Sequence, residues 1–198
     1  YAYIDTLNEA NKVLVSEMSS TLQTIAKDVK IQVEFNPAVV AEYRLIGYEN
    51  RALKREDFNN DKIDAGDIGA GHTVTALYEV TLAGGKGQKI DPLRYGMEKT
   101  PAGNKDEIAL LRLRYKLPDS DKSLLIEQAL KTADVQRDAG KTSADFRFSA
   151  AVAAFGQLLR GGKYTGDFGY DDVVRLAQGA RGQDGFGYRG EFLTLVNL

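Results

Sequence analysis

The chain has 198 residues, of which 43% are hydrophobic and 27% are charged, as in an ordinary globular domain. Its 26 basic and 28 acidic residues give a net charge of −2, which argues against a nucleic-acid-binding surface. The absence of cysteine and the single histidine, His72, exclude disulfides, cysteine-based zinc sites and sites built on two histidines. No apolar run approaches the ~18 residues of a membrane span, and the start without Met suggests a piece of a longer protein.

Residues 1–27 predict a helix followed by a linker. Thr6 and Glu9 match a capping box, in which the hydroxyl and the carboxylate satisfy free amides at a helix start. Mostly apolar residues recur at spacings of three and four along one face, as in an amphipathic helix. They are Ile4, Leu7, Asn11, Leu14 and Met18.

Residues 28–141 predict an antiparallel β-sandwich. Apolar and polar residues alternate strictly over 29–35, and Asn36-Pro37 should end that strand. Polar, glycine-rich loops rather than helices separate the further candidate strands, which is typical of a sandwich. These strands are predicted over 42–53, 72–81, 108–117 and 123–131, although the last could also form a helix.

Three basic residues, Arg112, Arg114 and Lys116, alternate with apolar ones in the strand predicted over 108–117. We interpret them as the solvent-exposed face of a sheet that also protects an edge strand from unwanted pairing. An acidic partner for this basic stripe is the alternative.

Residues 142–198 predict a helical C-terminal subdomain. Ser143 can cap a helix that runs to about Arg160 and stops at Gly161-Gly162. Further helices are predicted over 171–180 and 188–198. The fold class expected for the whole chain is therefore α+β: an antiparallel β-sandwich with packed C-terminal helices and one N-terminal helix.

The stretch from Gly66 to Thr73 resembles the phosphate-binding pattern G-x-x-x-x-G-K-[ST], except that His72 replaces the lysine. A working phosphate loop follows a buried strand and opens a helix, whereas here the preceding residues are polar and the following ones favour a strand. A histidine with a pKa near 6.5 is not a permanent charge. We therefore predict a glycine turn and no nucleotide site.

Asp57, Asn59 and Asp61 match the first three ligand positions of a calcium loop. The pattern then fails, because Lys62 stands in place of the glycine and Ile68 in place of the bidentate glutamate. A half-loop could still hold Ca²⁺ weakly with help from a nearby aspartate. The alternative is a solvated turn without a metal.

His72 is a possible ligand contact and is the one candidate for acid–base chemistry, paired with Asp61, Asp64 or Asp67. The alternative is a histidine held by structural hydrogen bonds. A carbohydrate-binding face is a third possibility, for which exposed aromatic residues would be needed on one face of the sandwich. The candidates for these aromatic residues are Tyr43, Tyr48, Tyr78 and Tyr115, although a place in the core is the simpler interpretation.

Several segments in order resemble the C-terminal region of bacterial von Willebrand factor type A proteins of the YfbK-like group. They are "IAKDVKIQVEFNPAVVAEYRLIGYENRAL", "EDFNNDKIDAGDIGAGHTVTALYEV", "LRLRYKLP", "DFRFSAAVAAFGQLLR" and "GYRGEFLTLV". The opening "YAYIDTLNEANKVLVSEM" resembles the last helix of the von Willebrand domain that precedes this region.

This resemblance implies a non-catalytic structural or interaction module of a bacterial cell-envelope protein, periplasmic or anchored through an N-terminal segment. It implies protein partners, above all an upstream von Willebrand domain whose D-x-S-x-S loop binds Mg²⁺, and no catalytic residue or cofactor of this chain's own. We expect no nucleic acid and no direct membrane contact, and a homodimer through the first helix is possible. The alternative is a Ca²⁺-dependent or His/Asp-based binding or hydrolytic site around residues 57–73.

Overall fold

The computed structural model describes residues 4–16, 23–47, 53–85, 87–90 and 105–198. Within them the fold is α+β, as predicted, with two antiparallel sheets and four α-helices. The strands are β1 Thr24–Phe35, β2 Val40–Leu45, β3 Gly66–Gly69, β4 Tyr78–Leu82, β5 Glu107–Lys116 and β6 Ser123–Lys131. The helices are α1 Leu7–Asn11, α2 Ala144–Leu159, α3 Tyr170–Gln178 and α4 Tyr188–Val196. The larger sheet has the order β3-β1-β5-β6, and β2 pairs with β4 in the smaller sheet.

The turn after β1 forms where the sequence predicts it. Asn36 accepts a hydrogen bond from the amide of Ala38 through Oδ1 at 3.0 Å, which is an Asx turn. Its Nδ2 donates to the carbonyl of Glu107 at 2.7 Å and so ties the turn to β5. Asn36-Pro37 therefore ends the strand and sends the chain into the smaller sheet.

The strand predicted over residues 72–81 is wrong in its first half, because β4 begins only at Tyr78. Instead the short strand β3 pairs with β1, and a turn follows in which the His72 amide donates to the Gly69 carbonyl at 3.1 Å. Gly71 adopts φ +77°, which a residue without a Cβ tolerates. Residues 72–77 after this turn join neither sheet, although Val74 and Ala76 line a cavity together with residues of β1.

The two sheets face each other at one end of the sandwich. The ring of Phe35 on β1 stacks on Tyr43 with centroids 4.3 Å apart, and it meets Tyr78 edge-on at 5.4 Å. Val40 and Ile108 are buried beside this contact. The core between the sheets is therefore concentrated where β1 turns into β2.

The helix α2 starts and stops at the predicted residues. Ser143 Oγ accepts a hydrogen bond from the Phe146 amide at 3.1 Å, which caps the first turn. Gly161 and Gly162 follow its last turn with φ of +93° and +63°, a region that strains other residues. Capping chemistry in the sequence thus fixes both ends of the helix.

The three C-terminal helices form a second core. Phe192 of α4 meets Phe148 and Phe155 of α2 edge-on at 5.4 and 5.5 Å. Asp184 lies at the start of α4 and accepts the amides of Arg189 at 3.1 Å and Gly190 at 2.8 Å. Burial acts to raise the pKa of Asp184, but these amides and the Arg181 guanidinium lower it overall.

The helix α1 is shorter than predicted and continues as a π-helical turn over Lys12–Ser16. Thr6 Oγ1 accepts the Glu9 amide at 3.1 Å, which is half of the predicted capping box. The side chains of Leu7, Leu14 and Val15 are exposed, while Met18 lies outside the described residues. No helix in the described part of the chain is long and apolar enough to cross a membrane.

Candidate interaction surfaces

The larger sheet has two chemically distinct faces, which the strand register defines. On the apolar face Ile31 of β1 pairs with Leu113 of β5, which pairs with Ile126 of β6. On the polar face, one residue further along β1, Gln32 pairs with Arg112, which pairs with Glu127. Since successive side chains of a strand point to opposite faces, the alternation seen in the sequence sorts charge and hydrocarbon between the two faces.

A loop over residues 54–65, here called the covering loop, lies on the polar face. Phe58 at its centre is only 4% exposed. Lys30 on β1 is 3% exposed, and its ammonium donates to the carbonyl of Asp57 at 3.3 Å and to that of Asn60. Both carbonyls lie near the end of the 3₁₀ turn Arg55–Asn59, where the backbone dipoles place partial negative charge. They therefore stabilise the buried ammonium of Lys30.

Asp61 fixes the end of the covering loop to β5 and β6. Its Oδ1 accepts hydrogen bonds from Ser123 Oγ at 2.5 Å and from Arg114 Nη2 at 2.9 Å. The Ser123 hydroxyl and the Arg114 guanidinium hold the pKa of Asp61 below its ordinary value. Lys116 Nζ donates to the backbone carbonyl of Asp61 at 3.1 Å, which makes a second attachment.

A bulge in β1 aims another carboxylate at the same lysine. The register with β5 shifts between Lys27 and Lys30, and Asp28 in this gap has φ +50°, a conformation that Asp tolerates better than most residues. Its Oδ2 lies 2.7 Å from Lys116 Nζ, and its amide donates to Asp67 Oδ1 at 3.2 Å. The Lys116 ammonium lowers the pKa of Asp28, and Asp28 in turn raises that of Lys116.

The basic stripe is therefore not an edge guard, and that interpretation is wrong. β5 lies between β1 and β6, so it has no free edge to protect. Arg114 and Lys116 are partly covered and bind carboxylates of the chain itself. For Arg114 and Lys116 the acidic groups come from this chain itself, from Asp61 of the covering loop and Asp28 of the β1 bulge.

The candidate calcium ligands all lie in the covering loop. Asp57 presents its backbone carbonyl to Lys30, while the side chains of Asn59 and Asp61 both face Arg114, at 3.5 and 2.9 Å. Arg114 and Ser123 already bind the Asp61 Oδ1 atom for which a cation would compete. Among the described residues, no three His, Asp or Glu side chains are grouped as metal ligands. Calcium binding remains a prediction.

His72 is exposed in the turn after β3. In the described part of the chain no ion pair joins it to Asp61, Asp64 or Asp67, and Asp61 is held by Arg114 instead. Residues 73–77 form no helix after the glycines, in agreement with the predicted glycine turn. A phosphate loop opens a helix, which residues 73–77 do not form, and acid–base chemistry at His72 stays an untested prediction.

The tyrosines considered for carbohydrate binding are not gathered on one exposed face. Tyr43 and Tyr78 belong to the smaller sheet and pack on Phe35, whereas Tyr115 is half-buried on β5. Tyr48 lies outside the described residues. Tyr78 is half-buried against Phe35, as the core interpretation expects, whereas Tyr43 stacks on Phe35 but is 61% exposed.

The apolar face is only partly covered by the smaller sheet. Between the sheets lies a cavity of about 650 Å³, lined on one side by Val33 and Leu111 and on the other by Ala76 and Val80. Beyond it the hydrocarbon is open to solvent, and Ile126 on the edge strand β6 is 52% exposed. The exposed apolar residues of this face are Ile31, Leu111, Leu124, Ile126 and Leu130.

Sequence reasoning missed this open face, because alternation predicts which side chains share a face but not what covers it. One signal was present. Leu124, Leu125 and Ile126 are consecutive, so β6 carries hydrocarbon on both of its faces. A strand of that kind needs apolar contacts on two sides, and the described residues supply few of them for β6.

These features define an α+β domain with two antiparallel sheets, a covered polar face and an open apolar face. The chain belongs to the family described as "Uncharacterized protein YfbK, C-terminal", whose model matches residues 20–198. This confirms the family resemblance read from the sequence.

A particular relative is the "Uncharacterized protein YfbK" of Escherichia coli (strain K12), which is 50% identical over 200 residues. The alignment covers 100% of this chain and 34% of the relative, so the chain spans about a third of that protein's length. It matches the C-terminal part of the relative. No solved structure matches the chain.

Proposed function

We propose that this chain is a non-catalytic interaction module that binds, through its apolar face, the preceding von Willebrand domain of its own parent protein. The observation that carries the proposal is the row of exposed apolar side chains on one face of the larger sheet. Contiguous hydrocarbon of this kind on a folded domain marks a site of protein association. The open edge of β6 borders the same face and adds to the available surface.

The length of the relative supports an intramolecular partner. Two thirds of the E. coli protein lie outside the matched region, which forms its C-terminal part. The resemblance to von Willebrand type A proteins of the bacterial cell envelope supplies the class of partner and the setting. In this proposal Mg²⁺ belongs to the partner domain and the module itself needs no cofactor.

The first helix is a second contact in the same proposal. Leu7, Leu14 and Val15 are exposed, and the resemblance places this segment at the end of the partner domain. Lys12 Nζ lies 5.7 Å from the Tyr188 ring, a contact to the C-terminal helices. Pairing of two copies through this helix is the alternative use of the same side chains.

Two neighbouring residues of β6 provide a matched test. Ile126 and Leu125 are 52% and 51% exposed, but Ile126 lies on the apolar face and Leu125 on the polar face. The binding partner is the region of the E. coli relative that precedes the matched part, and calorimetry measures its affinity for this chain. We expect Ile126→Asp to weaken binding by at least about tenfold, roughly 1.4 kcal/mol, and Leu125→Asp by less than about threefold.

Equal effects of the two substitutions would show that the apolar face is not the binding surface. No binding by the unsubstituted chain would exclude the preceding region as partner. Light scattering on the same samples tests the remaining possibility, that a second copy of the chain covers the apolar face. If Ile126→Asp converts a dimer into a monomer, the occupant of the face is a second copy and the proposed partner is wrong.

A further inference from the structure

A second apolar space lies elsewhere, between the smaller sheet and α2. It is a cleft of about 570 Å³, within the range of about 300–1,000 Å³ typical of ligand pockets. Ile46 directly after β2 and Leu77 directly before β4 line one side, and Ala150, Ala153 and Ala154 of α2 form much of the other side. Because these alanines are small, the helix and the sheet leave a hydrocarbon-lined space between them.

Three cations gather around one aromatic ring, that of Tyr164, which lines this cleft. The Tyr164 ring centroid lies 3.9 Å from the Arg44 guanidinium, 5.2 Å from Lys163 Nζ and 5.3 Å from Lys89 Nζ. Each separation is within the reach of a cation–π interaction, and Arg44 and Tyr164 line the cleft itself. Positive charge is therefore concentrated around Tyr164, next to the apolar lining of the cleft.

Among the described residues, two carboxylates, those of Glu79 and Glu42, lie beside these three cations. Glu79 pairs with Arg44 and, at 3.3 Å, with Lys89, so one carboxylate serves two cations. Glu42 accepts the backbone amide of Lys89 at 2.9 Å. Arg44 Nη1 donates to the neutral Gln157 Oε1 at 3.2 Å, a position that an anionic oxygen would fill more strongly.

We propose that this cleft binds a free fatty acid, with its chain between α2 and the smaller sheet and its carboxylate at Arg44, Tyr164 and Lys163. Most of the lining is apolar and accepts hydrocarbon, whereas the polar groups Glu79 and Gln157 lie together on Arg44 and limit where a charged head group can bind. The bound carboxylate takes the place of Gln157 on Arg44 and is further balanced by Lys163. The cleft shares Ala76 and Tyr78 with the cavity between the sheets, but none of the five exposed residues of the apolar face lines it, so this inference does not depend on the proposed function.

Dodecanoate is the probe, and calorimetry with native mass spectrometry measures its affinity and stoichiometry. We expect one dodecanoate per chain, and binding of dodecanol, which has the same chain without the charge, at least tenfold weaker. Lys163→Gln should weaken dodecanoate binding severalfold, whereas Lys141→Gln, an exposed lysine away from the cleft, should leave it unchanged. Ala153→Leu, which fills the cleft, should reduce the affinity for both compounds.

Because Lys163 is exposed, its substitution keeps the test valid even if Ala153→Leu fails to fold. Equal affinity for dodecanoate and dodecanol would overturn the role of the cations. No binding of dodecanoate, or binding only to phospholipid vesicles, would overturn the proposal. So would an equal loss in Lys163→Gln and Lys141→Gln.

Discussion

Lys30 and Ile31 are neighbours on β1, and their burial is the reverse of what their side chains would suggest. Lys30 is 3% exposed beneath the covering loop, whereas Ile31 on the opposite face is 51% exposed. Around Lys30, Arg114 and Lys116 the polar face is covered by a segment of the chain that brings carbonyls and carboxylates to these cations. The apolar face has no such segment among the described residues beyond the smaller sheet. The difference teaches that burial depends on which other part of the chain lies against a side chain, and not on the polarity of the side chain alone.

Truncation of Phe58 should have the largest effect on the polar face. Phe58→Ala removes the buried ring of the covering loop and should lower the free energy of unfolding by about 3–5 kcal/mol. Ile31→Ala should cost about 1 kcal/mol or less, because half of that side chain is already in water. Urea unfolding of both variants measures the difference. A loss for Ile31→Ala as large as that for Phe58→Ala would mean that the apolar face is covered in solution.

Removal of the buried ammonium should have the next largest effect. Lys30→Met keeps most of the buried stem but leaves the carbonyls of Asp57 and Asn60 without their donor, at a cost of about 1–3 kcal/mol. Lys62→Met, an exposed lysine in the same loop, should change the stability by about 0.5 kcal/mol or less. The same urea titrations give both values. If Lys30→Met were neutral, the loop would not depend on this ammonium.

The carboxylates of the polar face should make stability depend on acid pH. The pKa values of Asp28 and Asp61 are lowered in the folded chain, so their contribution is present above the ordinary value near 3.9 and is lost as pH falls through the lowered values. The variant Asp28→Asn/Asp61→Asn should be less stable than the unsubstituted chain at pH 7, with a gap that narrows below about pH 4. Thermal unfolding from pH 7 to 2.5 measures this gap. Asp119→Asn controls for net charge, and a gap that stays constant with pH would contradict the prediction.

The smallest effect should come from Ca²⁺. Arg114 and Ser123 already bind the Asp61 carboxylate, so millimolar Ca²⁺ should give no measurable rise in Tm. A ligand at a hundred times its Kd would add about 2.7 kcal/mol, or roughly 5–10 °C for a chain of this length. A rise of that size, lost in Asp61→Asn, would establish the calcium half-loop. It would also show that Ca²⁺ can replace the Arg114 guanidinium at the Asp61 carboxylate.

The sequence predicts local structure well where a single residue sets it. The caps at Thr6 and Ser143, the Asn36-Pro37 turn and the Gly161-Gly162 stop all act through hydrogen bonds or backbone angles within a few residues. The strand predicted over 123–131 is confirmed with the same bounds. The strand predicted over 72–81 failed in its first half. Its β-forming residues follow Gly71, whose turn removes them from the ladder, and residue preferences do not encode that direction.

The candidate site was less accessible to sequence reasoning. The sequence grouped Asp57, Asn59 and Asp61 as candidate calcium ligands. Their partners in the structure, Lys30, Arg114 and Ser123, lie about 30 to 60 positions away in the chain. The bulge at Asp28, which aims a further carboxylate at Lys116, has no signature in the alternation of β1. Pairings of this range arise from sheet order, and sheet order was not predicted.

By itself the sequence determined the fold class, the family, the helix ends and the division of each strand into a charged and an apolar side. These depend on periodicity and on local hydrogen bonding, which neighbouring residues settle. Tertiary structure alone decided that β5 is a central strand, that the covering loop closes the polar face and that Ile31 and Ile126 stay open to solvent. The physical reason is that alternation fixes the direction of a side chain, whereas burial requires another element to lie against it.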